Sequence, residues 1–352
     1  MIKDFRRYWI IKLLLYPLAF LYGLITHLRN LFYDHRLFTS NQYDIPIISI
    51  GNIIAGGTGK TPFTMLCIDL LRSYYRNIVI VSRGYGRESK GLLVVSDGQG
   101  NIQPAKLGGD EPSMIARKYP QVPVIVSEVR KVGIEKAIQI FDANLILLDD
   151  AFQHRSVARD CDIVLINGMR SLSGERLLPA GDLREKITNL KRADIVVLNE
   201  SHKKLDQQDI LYLNHIYEGP VFSCHFLPKV LVDSRLQKIS DITVLKGKEV
   251  YLFSAIASPE QFKTMIADIG ATIKKVRIYP DHYFYRPSDF EQIKKEYQEL
   301  NCDYLITTEK DLVKIESSVF DDINFMGLGL EGNIITSKSF VDKLNQYIDI
   351  KI

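Results

Sequence analysis

The chain has 352 residues, of which 46% are hydrophobic and 25% charged, and its formal net charge is +3. This length fits two domains of ordinary size, and the composition is that of a globular chain with a large core rather than a disordered one. Residues 1–36 carry six basic and two acidic side chains, so the positive excess lies wholly in that segment. A basic excess at one end argues for contact with an anionic membrane surface and against a nucleic-acid-binding face.

The four cysteines are far apart in the chain and form no CxxC pair or zinc-binding spacing; they are Cys67, Cys161, Cys224 and Cys302. This pattern predicts reduced, mostly buried thiols in a cytosolic protein.

The N-terminal segment is strongly apolar, since Lys12 is the only charged residue between Trp9 and Ile25. The run is slightly shorter than the about 20 apolar residues that span a membrane. Small and polar residues recur at steps of three or four and predict one narrow helix face: Lys12, Tyr16, Ala19, Gly23, Thr26 and Asn30. We expect an interfacial, monotopic helix, with a transmembrane helix and a buried core helix as the alternatives.

A glycine-rich loop stands between a predicted apolar strand, residues 45–50, and a predicted helix, residues 62–73. In this context Gly-Gly-x-Gly-Lys-Thr binds a nucleoside triphosphate, because backbone N–H groups and the helix N-terminus cradle its phosphates. Lys60 adds a positive charge, and the Thr61 hydroxyl can bind Mg²⁺. The predicted nucleotide-binding residues are Ile54, Ala55, Gly56, Gly57, Thr58, Gly59, Lys60 and Thr61.

Short apolar runs alternate with helical patterns in the rest of the chain, which predicts an α/β fold with a mostly parallel sheet. The predicted strands are 45–50, 78–81, 92–95, 124–126, 145–148, 163–166 and 195–198. We divide the chain into an N-terminal membrane-associated helix over 1–36, a P-loop NTPase-like domain over 37–220, linker strands over 221–247 and a second, smaller α/β domain over 248–352.

Candidate functional residues follow several of these strands, which is where ligands bind in a parallel sheet. Asp149 and Asp150 end the strand 145–148 as in a Walker B segment, so both are candidate Mg²⁺ ligands; capping of the next element is the alternative. His154 lies just downstream and can face the nucleotide or the acceptor, or be structural.

Asp110 and Glu111 lie in a Gly-Gly-Asp-Glu-Pro segment. Asp110 either caps a helix or helps to remove a proton from an acceptor hydroxyl. In the loop from Ser82 to Arg87, the arginines Arg83 and Arg87 can neutralise phosphate or simply face solvent.

Four further residues are candidates for binding or catalysis. Arg130 ends the strand–loop that begins at residue 124. Arg184 can clamp phosphate and Glu185 can hydrogen-bond sugar hydroxyls, with surface ion pairing as the alternative. His282 is either a packed side chain or a base oriented by Asp281 or another carboxylate.

These motifs together resemble one family, the tetraacyldisaccharide 4'-kinases. In chain order they are Gly-Asn-x-x-x-Gly-Gly-Thr-Gly-Lys-Thr-Pro, Ser-Arg-Gly-Tyr-Gly-Arg, Gly-Asp-Glu-Pro, Asp-Asp-x-Phe-Gln-His, Leu-Pro-Ala-Gly-x-Leu-Arg-Glu and Pro-Asp-His. The resemblance covers essentially the whole chain, including the hydrophobic N-terminal helix. Two positions depart from the family pattern, because Ala151 replaces the usual Gly and Asp182 the usual Pro.

The resemblance implies a kinase that uses MgATP to phosphorylate the 4'-hydroxyl of an acylated glucosamine disaccharide 1-phosphate, the lipid A precursor of Gram-negative bacteria. It also implies two α/β/α domains joined by a short two-stranded linker. The implied catalytic residues are Asp110, His282 and Lys60, and the implied Mg²⁺ and nucleotide residues are Lys60, Thr61, Asp149 and Asp150. The implied substrate residues are Tyr85, Glu111, Arg130, His154, Arg184 and Glu185.

We expect Asp110 and His282 to lie on different domains, so that the site is complete only when the domains close. The alternatives to this kinase are a membrane-associated P-loop ATPase or GTPase switch and a kinase of a soluble sugar. Ala55 and the lack of an Asn-Lys-x-Asp motif after the strand 195–198 oppose a switch.

The expected partners are the lipid A disaccharide precursor and the lipid surface of the inner membrane, without nucleic acid. We expect a monomer on the cytoplasmic face of that membrane, bound as a peripheral or monotopic protein.

Overall fold

The structure is a computed structural model that describes residues 9–168, 171–201 and 203–348, without the side chains of residues 9–14 and 317. The chain packs as two compact units built from interleaved segments. Unit 1 consists of Met1–Tyr74, Asn144–His225 and Asn333–Ile352, and unit 2 of Tyr75–Ala143 and Phe226–Gly332.

The strands are β1 (Ile47–Asn52), β2 (Ile78–Ser82), β3 (Leu93–Ser96), β4 (Val124–Val126), β5 (Leu145–Asp149), β6 (Cys161–Asn167), β7 (Ile195–Asn199), β8 (Val221–Val232), β9 (Lys238–Asp241), β10 (Glu249–Ser254), β11 (Thr272–Ile278), β12 (Tyr304–Thr308) and β13 (Phe325–Ile334). The helices are α1 (Trp9–Asp34), α2 (Lys60–Leu71), α3 (Ala105–Gly108), α4 (Asp110–Lys118), α5 (Arg130–Phe141), α6 (Gln207–Ile216), α7 (Pro259–Asp268), α8 (Pro287–Leu300), α9 (Glu309–Leu312) and α10 (Ser337–Ile348). Short 3₁₀ helices cover Ile187–Arg192, Ile242–Leu245 and Ser317–Phe320.

In unit 1 the strands β7, β6, β1 and β5 are neighbours in that order, all parallel, and the start of β8 pairs with β7. Every residue of β1 and β5 is buried, as expected for strands covered on both faces of a sheet. Their apolar runs are the ones from which the sequence predicted strands. The parallel arrangement brings the carboxyl ends of β1, β5, β6 and β7 to one edge.

Helix α1 belongs to unit 1 and presents to it the narrow face that the sequence predicted. Among its described side chains, from residue 15 onward, Ala19, Gly23, Thr26 and Asn30 are the buried ones, whereas Phe20 is 75% exposed. The buried-core-helix alternative is therefore wrong. The basic residues Lys3, Arg6 and Arg7 and the side chain of Lys12 lie outside the described part of the chain. No helix among the described residues is long and apolar enough to cross a membrane.

The last helix, α10, closes the core of unit 1. Phe340 is fully buried, and its ring meets Phe63 of α2 at 6.0 Å and Phe222 of β8 at 5.2 Å, both edge-on. Such aromatic pairs stabilise a core beyond the area that they bury. Unit 1 therefore needs residues from both ends of the chain.

Unit 2 is also α/β, with a parallel set β11-β10-β12-β13 and a set in which β2 is parallel and β3 antiparallel to β4. Strand β9 pairs antiparallel with the end of β8. Fully buried Phe253 lies at the centre of an aromatic cluster with Tyr285, Phe320 and Phe325. The predicted mostly parallel α/β fold is confirmed.

Residues 75–143 pack with residues 226–332 in unit 2. Arg117 donates to the carbonyls of Ser234 and Val313 at 2.8 and 2.9 Å, and Lys118 pairs with Glu309 at 3.0 Å. Compact packing is a different property from independent folding, so the domain boundaries predicted at 37–220 and 248–352 stay a prediction.

All four cysteines are buried and free, as predicted. Burial raises the pKa of the Cys224 thiol to about 12 and raises that of Cys67 further. A thiol that holds its proton this firmly is a poor nucleophile, so these side chains are core residues.

Candidate active site

The glycine-rich loop connects buried β1 to α2 in unit 1. Gly59, the residue before α2, has φ +88°, which a residue without Cβ adopts at no steric cost, and no side chain caps the helix. Gly56 and Gly57 are exposed, and a Cβ built on Gly57 would meet nothing within 4 Å. The first N–H groups of α2 therefore adjoin an open stretch of backbone, which suits a phosphate group.

Ile54 occupies the position at which many such loops have glycine, and its surroundings show why a large side chain fits there. Its side chain is 2% exposed and belongs to the core of unit 1, where Leu183 also packs. The backbone beside it pairs with residues 182–184, because Ala55 N–H donates to Asp182 O at 2.7 Å and Arg184 N–H to Ile53 O at 2.9 Å. Ile54 thus anchors the start of the loop.

Three asparagines at the carboxyl ends of neighbouring strands hold the loop, and sequence reasoning missed this role. Asn52 of β1 donates to Thr58 Oγ1 at 2.9 Å, and Asn167 of β6 to Gly57 O at 2.8 Å. Asn199 of β7 donates to Thr58 O at 3.1 Å. Because these asparagine amides bind carbonyl groups of the loop, they favour a loop conformation in which the loop N–H groups face away from the asparagines.

The carboxylates predicted to bind Mg²⁺ follow β5. Asp149 is 1% exposed and accepts a hydrogen bond from Thr64 Oγ1 at 3.3 Å. Asp150 has φ +52°, a strained conformation for a residue with a Cβ, of the kind that clusters at functional sites. Its Oδ1 lies 3.7 Å from Lys60 Nζ and accepts from Arg184 at 2.7 Å. The structure therefore brings Lys60, Asp150 and Arg184 together.

These residues fit a magnesium–nucleotide complex by the chemistry of their donors. Thr61 is buried in the first turn of α2 and supplies a hydroxyl, while Asp149 and Asp150 supply carboxylates. Hard cations such as Mg²⁺ take oxygen ligands of these kinds, together with water and phosphate oxygens. The contacts of Asp149 with Thr64 and of Asp150 with Lys60 and Arg184 are side-chain contacts at the loop and do not cap a helix.

Glu185, predicted to bind sugar hydroxyls, is fully buried. Both of its carboxylate oxygens accept from Arg192 at 2.7 Å. Asn189, Asn30 of α1 and Gln153 also donate to it, at 2.7, 2.8 and 3.1 Å. The surface-ion-pair alternative is wrong for Glu185, because this cluster is internal and ties α1 to the loop region.

Asp110 and His282 meet in unit 2, although the sequence placed them on different domains. His282 Nδ1 lies 3.1 Å from Asp110 Oδ2. Asp110 is 2% exposed and is the first residue of α4, where the cap is Gly109 with φ +91°, so the N-cap alternative is wrong. His282 has φ +63°, a second strained residue among the predicted site residues. Helix α4 and the loop after β11 belong to the same compact unit, so the pair forms within unit 2. Closure between the predicted domains stays a prediction.

Tyr85 adjoins this pair, and its neighbours in the same loop have different surroundings. The Tyr85 ring is 69% exposed and lies 5.3 Å from the His282 ring. Arg87 is engaged by Glu128 at 2.6 Å and by Ser89 Oγ at 2.9 Å, so its charge is neutralised within the protein. Arg83 is exposed, and Glu111 is half-buried in the first turn of α4.

The last two predicted residues lie outside both clusters. Arg130 begins α5, is 2% exposed and donates to Ser127 O at 2.7 Å. His154 is half-buried in the turn after β5, where its N–H donates to Ala151 O at 2.8 Å. Asp182, the departure from proline, donates its N–H to Glu175 Oε1 at 2.9 Å, a bond that proline cannot make.

A parallel α/β sheet whose first strand leads into this loop and helix, with aspartates at the end of the neighbouring strand, defines a P-loop nucleoside-triphosphate-binding protein. The sequence profile of the family described as LpxK: Tetraacyldisaccharide-1-P 4'-kinase matches residues 11–349. The chain therefore belongs to the tetraacyldisaccharide-1-P 4'-kinase family, as the motifs predicted.

Individual relatives agree. The tetraacyldisaccharide 4'-kinase of Syntrophotalea carbinolica is 38% identical over 312 residues, which are 87% of this chain and 84% of the relative. That of Syntrophus aciditrophicus is 35% identical over 343 residues, covering 93% and 91%. The crystal structure of LpxK from Aquifex aeolicus in complex with ATP superposes with a TM-score of 0.78 at 30% identity, covering 96% of this chain and 99% of that one. The chain is an ATP-dependent kinase of lipid A biosynthesis.

Proposed function

We propose that the chain transfers the γ-phosphoryl group of ATP to the 4'-hydroxyl of a tetraacyl glucosamine disaccharide 1-phosphate. On the donor side, the N–H groups of Gly56, Gly57 and Gly59 and the first turn of α2 bind the phosphates, and Lys60 neutralises charge on the transferred group. Thr61, Asp149 and Asp150 would hold Mg²⁺, which when bound neutralises the β- and γ-phosphate oxygens.

On the acceptor side, Asp110 takes the proton of the 4'-hydroxyl and His282 orients the carboxylate. The observation that carries this proposal is the 3.1 Å contact between the buried Asp110 carboxylate and the part-exposed His282 ring. The exposed Tyr85 ring beside His282 offers a flat surface for a sugar.

The remaining proposed substrate residues are Glu111, Arg130, His154, Arg184 and Glu185. Because Arg130 and Glu185 are buried, we propose that they act by holding neighbouring groups rather than by touching lipid. Arg130 holds the Ser127 carbonyl, and Glu185 holds the Arg192 side chain. Arg184 and Lys60 both contact the Asp150 carboxylate, so the Arg184 guanidinium lies close to the proposed phosphate site.

We further propose that the enzyme works as a monomer at the cytoplasmic face of the inner membrane, with α1 lying in the interface. Support comes from the apolar face of α1, where Leu18, Phe20, Leu21, Leu24 and Ile25 are all exposed. An acylated substrate is itself anchored in lipid, so an interfacial helix would bring enzyme and acceptor to the same surface.

Single-turnover kinetics on Asp110→Asn and His282→Ala test the acceptor chemistry. Loss of a positioned proton acceptor slows such a step by about 10²–10⁴-fold, with ATP affinity little changed. His225→Ala is the matched control, since this half-buried histidine also faces a carboxylate, Glu200 at 3.8 Å. Near-normal rates in either site variant would remove that residue from the mechanism.

The acceptor itself is tested by comparing the lipid disaccharide 1-phosphate with a deacylated, soluble disaccharide. We expect phosphorylated lipid to form and the soluble sugar to turn over poorly. Release of inorganic phosphate alone, with neither sugar phosphorylated, would contradict the proposed transfer.

A further inference from the structure

The segment from Thr307 to Lys314 has no role in the function described so far. It contains the end of β12, the short helix α9 and the residues after it. The Thr308 hydroxyl accepts the N–H of Asp311 at 3.1 Å, so the segment contains a capped helix start. Two lysines of this segment, Lys310 and Lys314, contact the Asp110–His282 pair, which a cap does not explain.

Lys310 faces the outer nitrogen of His282. Its Nζ lies 3.3 Å from His282 Nε2 and 3.3 Å from Asp281 Oδ1. A lysine ammonium only donates hydrogen bonds, so Nε2 must be the accepting nitrogen of the ring. In a neutral imidazole the other nitrogen then carries the proton, and His282 Nδ1–H donates to Asp110 Oδ2.

Lys314 lies on the other side of the pair, at the carboxylate. Its side chain is fully buried, and Nζ lies 3.7 Å from Asp110 Oδ2 and 2.8 Å from Asp311 Oδ1. It also donates to Tyr283 O at 3.2 Å and lies over the Tyr285 ring. A buried cation beside a buried carboxylate favours the charged form of that carboxylate.

Asp311 connects the segment to the backbone of His282. Asp311 is fully buried, and its Oδ2 accepts the N–H of Ala255 at 3.0 Å. Ala255 O in turn accepts the N–H of His282 at 3.3 Å. Asp311 therefore orients Lys314 directly and His282 through one peptide unit.

We propose that this segment positions the catalytic pair: Lys310 selects the His282 tautomer that donates to Asp110, and Lys314, held by Asp311, fixes the Asp110 carboxylate where it can receive the acceptor proton. The inference rests on the proposed roles of Asp110 and His282. Lys310, Lys314 and Asp311 are positioning residues, since none of them needs to touch the substrate.

The tautomer is tested without catalysis, by NMR of the full-length protein with ¹⁵N-labelled histidine, assigned with His282→Gln. We expect the proton of the neutral His282 ring to lie on Nδ1, and loss of that preference in Lys310→Met. A wild-type ring protonated on Nε2, or an unchanged His282 spectrum in Lys310→Met, would overturn the proposal.

The role of Lys314 is tested by the pH dependence of kcat/KM. The charged and titratable groups at the pair are His282, Lys314 and Tyr285 beside Asp110, Asp311 beside Lys314, and Lys310 and Asp281 beside His282. The variant removes one cation from this set. Lys314→Met should move the acidic limb of the profile upward by about one pH unit, because a carboxylate that loses a cation binds a proton more readily. Lys314→Arg, which keeps the charge, should restore the limb.

Lys118→Met is the matched control, because Lys118 is a half-buried lysine paired with Glu309 of the same segment. A limb that moves equally in this control, or that stays in place in Lys314→Met, contradicts the inference. If Lys314→Met does not fold, the Lys310 spectra still decide it. Normal turnover in Asp110→Asn would instead contradict the proposed function, whatever the spectra show.

Discussion

At the scale of single residues, Glu185 carries the clearest structural requirement in unit 1. Its fully buried carboxylate meets the Arg192 guanidinium, which also lies 4.4 Å from the Phe152 ring centre. Replacing Glu185 with Ala leaves that cation buried without its partner. We expect a loss of about 3–5 kcal/mol in the free energy of unfolding, measured by urea denaturation.

Glu331→Ala is the control for this substitution. Glu331 is half-exposed and pairs with Lys229 at 3.4 Å on the surface, so its loss should change the stability by less than about 1 kcal/mol. Similar losses in both variants would mean that the Glu185 cluster contributes no more than a surface pair.

Asp194 makes the stability of the protein depend on pH. Burial raises the pKa of its carboxyl to about 6, whereas an unfolded aspartate titrates near 3.9. Between these values the folded chain binds more protons than the unfolded chain, so the contribution of Asp194 to stability falls as the pH rises through that window. Asp194→Asn removes this titration, while the amide oxygen can still accept the Asp162 N–H, now bonded at 2.7 Å.

We subtract the melting temperature of wild type from that of Asp194→Asn at each pH. This difference should be higher at pH 7 than at pH 4 by about 2–4 °C. Differential scanning fluorimetry across this range measures it. The exposed Asp268→Asn serves as control and should show no such trend. A constant difference for Asp194→Asn at every pH would contradict the prediction.

At the scale of elements, the ends of β1, β6 and β7 set the shape of the phosphate-binding loop. The Asn199 amide is fixed in orientation, because its Oδ1 accepts the N–H of Ser201 at 3.1 Å and its nitrogen therefore faces Thr58 O. Asn199→Ala should weaken ATP binding by about 5–10-fold through the lost hydrogen bond, measured by calorimetry. Asn77→Ala, which removes a surface amide bonded to Asp142 O, should not. Unchanged ATP affinity in Asn199→Ala would show that the loop holds its shape without this bond.

Local patterns predicted most elements, because their physical causes lie within a few residues. Buried parallel strands such as β1 and β5 appear as continuous apolar runs. The glycines, Lys60 and Thr61 identify their loop by spacing alone. The narrow face of α1 was predicted from small and polar residues that recur at steps of three or four.

The contacts that the sequence could not provide are long-range. Asp110 and His282 are separated by 172 positions, and no periodicity connects them. Asn167 and Asn199 are ordinary residues at strand ends, so the only signal for their role is that parallel strands end at one edge. For Glu185 the sequence left sugar binding and surface ion pairing as the two choices, because a single charged residue carries no sign of its partners.

At the scale of the whole molecule, α1 presents an apolar surface that nothing in the described chain covers. Its narrow face packs against the rest of unit 1. Beside that face, Tyr22 OH donates to Arg184 O at 2.7 Å. We expect Phe20→Glu combined with Leu24→Glu to abolish co-sedimentation with anionic phospholipid vesicles, because each adds a charge that must leave water. ATP binding should remain.

The control for the vesicle experiment is Leu211→Glu on α6, an exposed leucine of the same unit. It should sediment like wild type. Sedimentation that persists in the α1 double variant would rule out this face as the membrane contact.

The interleaving of the two units also has a consequence for biosynthesis. Phe340 completes the core around Phe63, yet α1 leaves the ribosome about 300 residues earlier, which at 5–20 residues per second is roughly 15–60 s. During that interval the apolar helix exists without the folded unit 1 against which its narrow face packs. If α1 binds the lipid surface as proposed, capture of the nascent chain by lipid can therefore precede folding of the nucleotide-binding core. The order of synthesis would then bring the enzyme to the membrane before it is able to bind ATP.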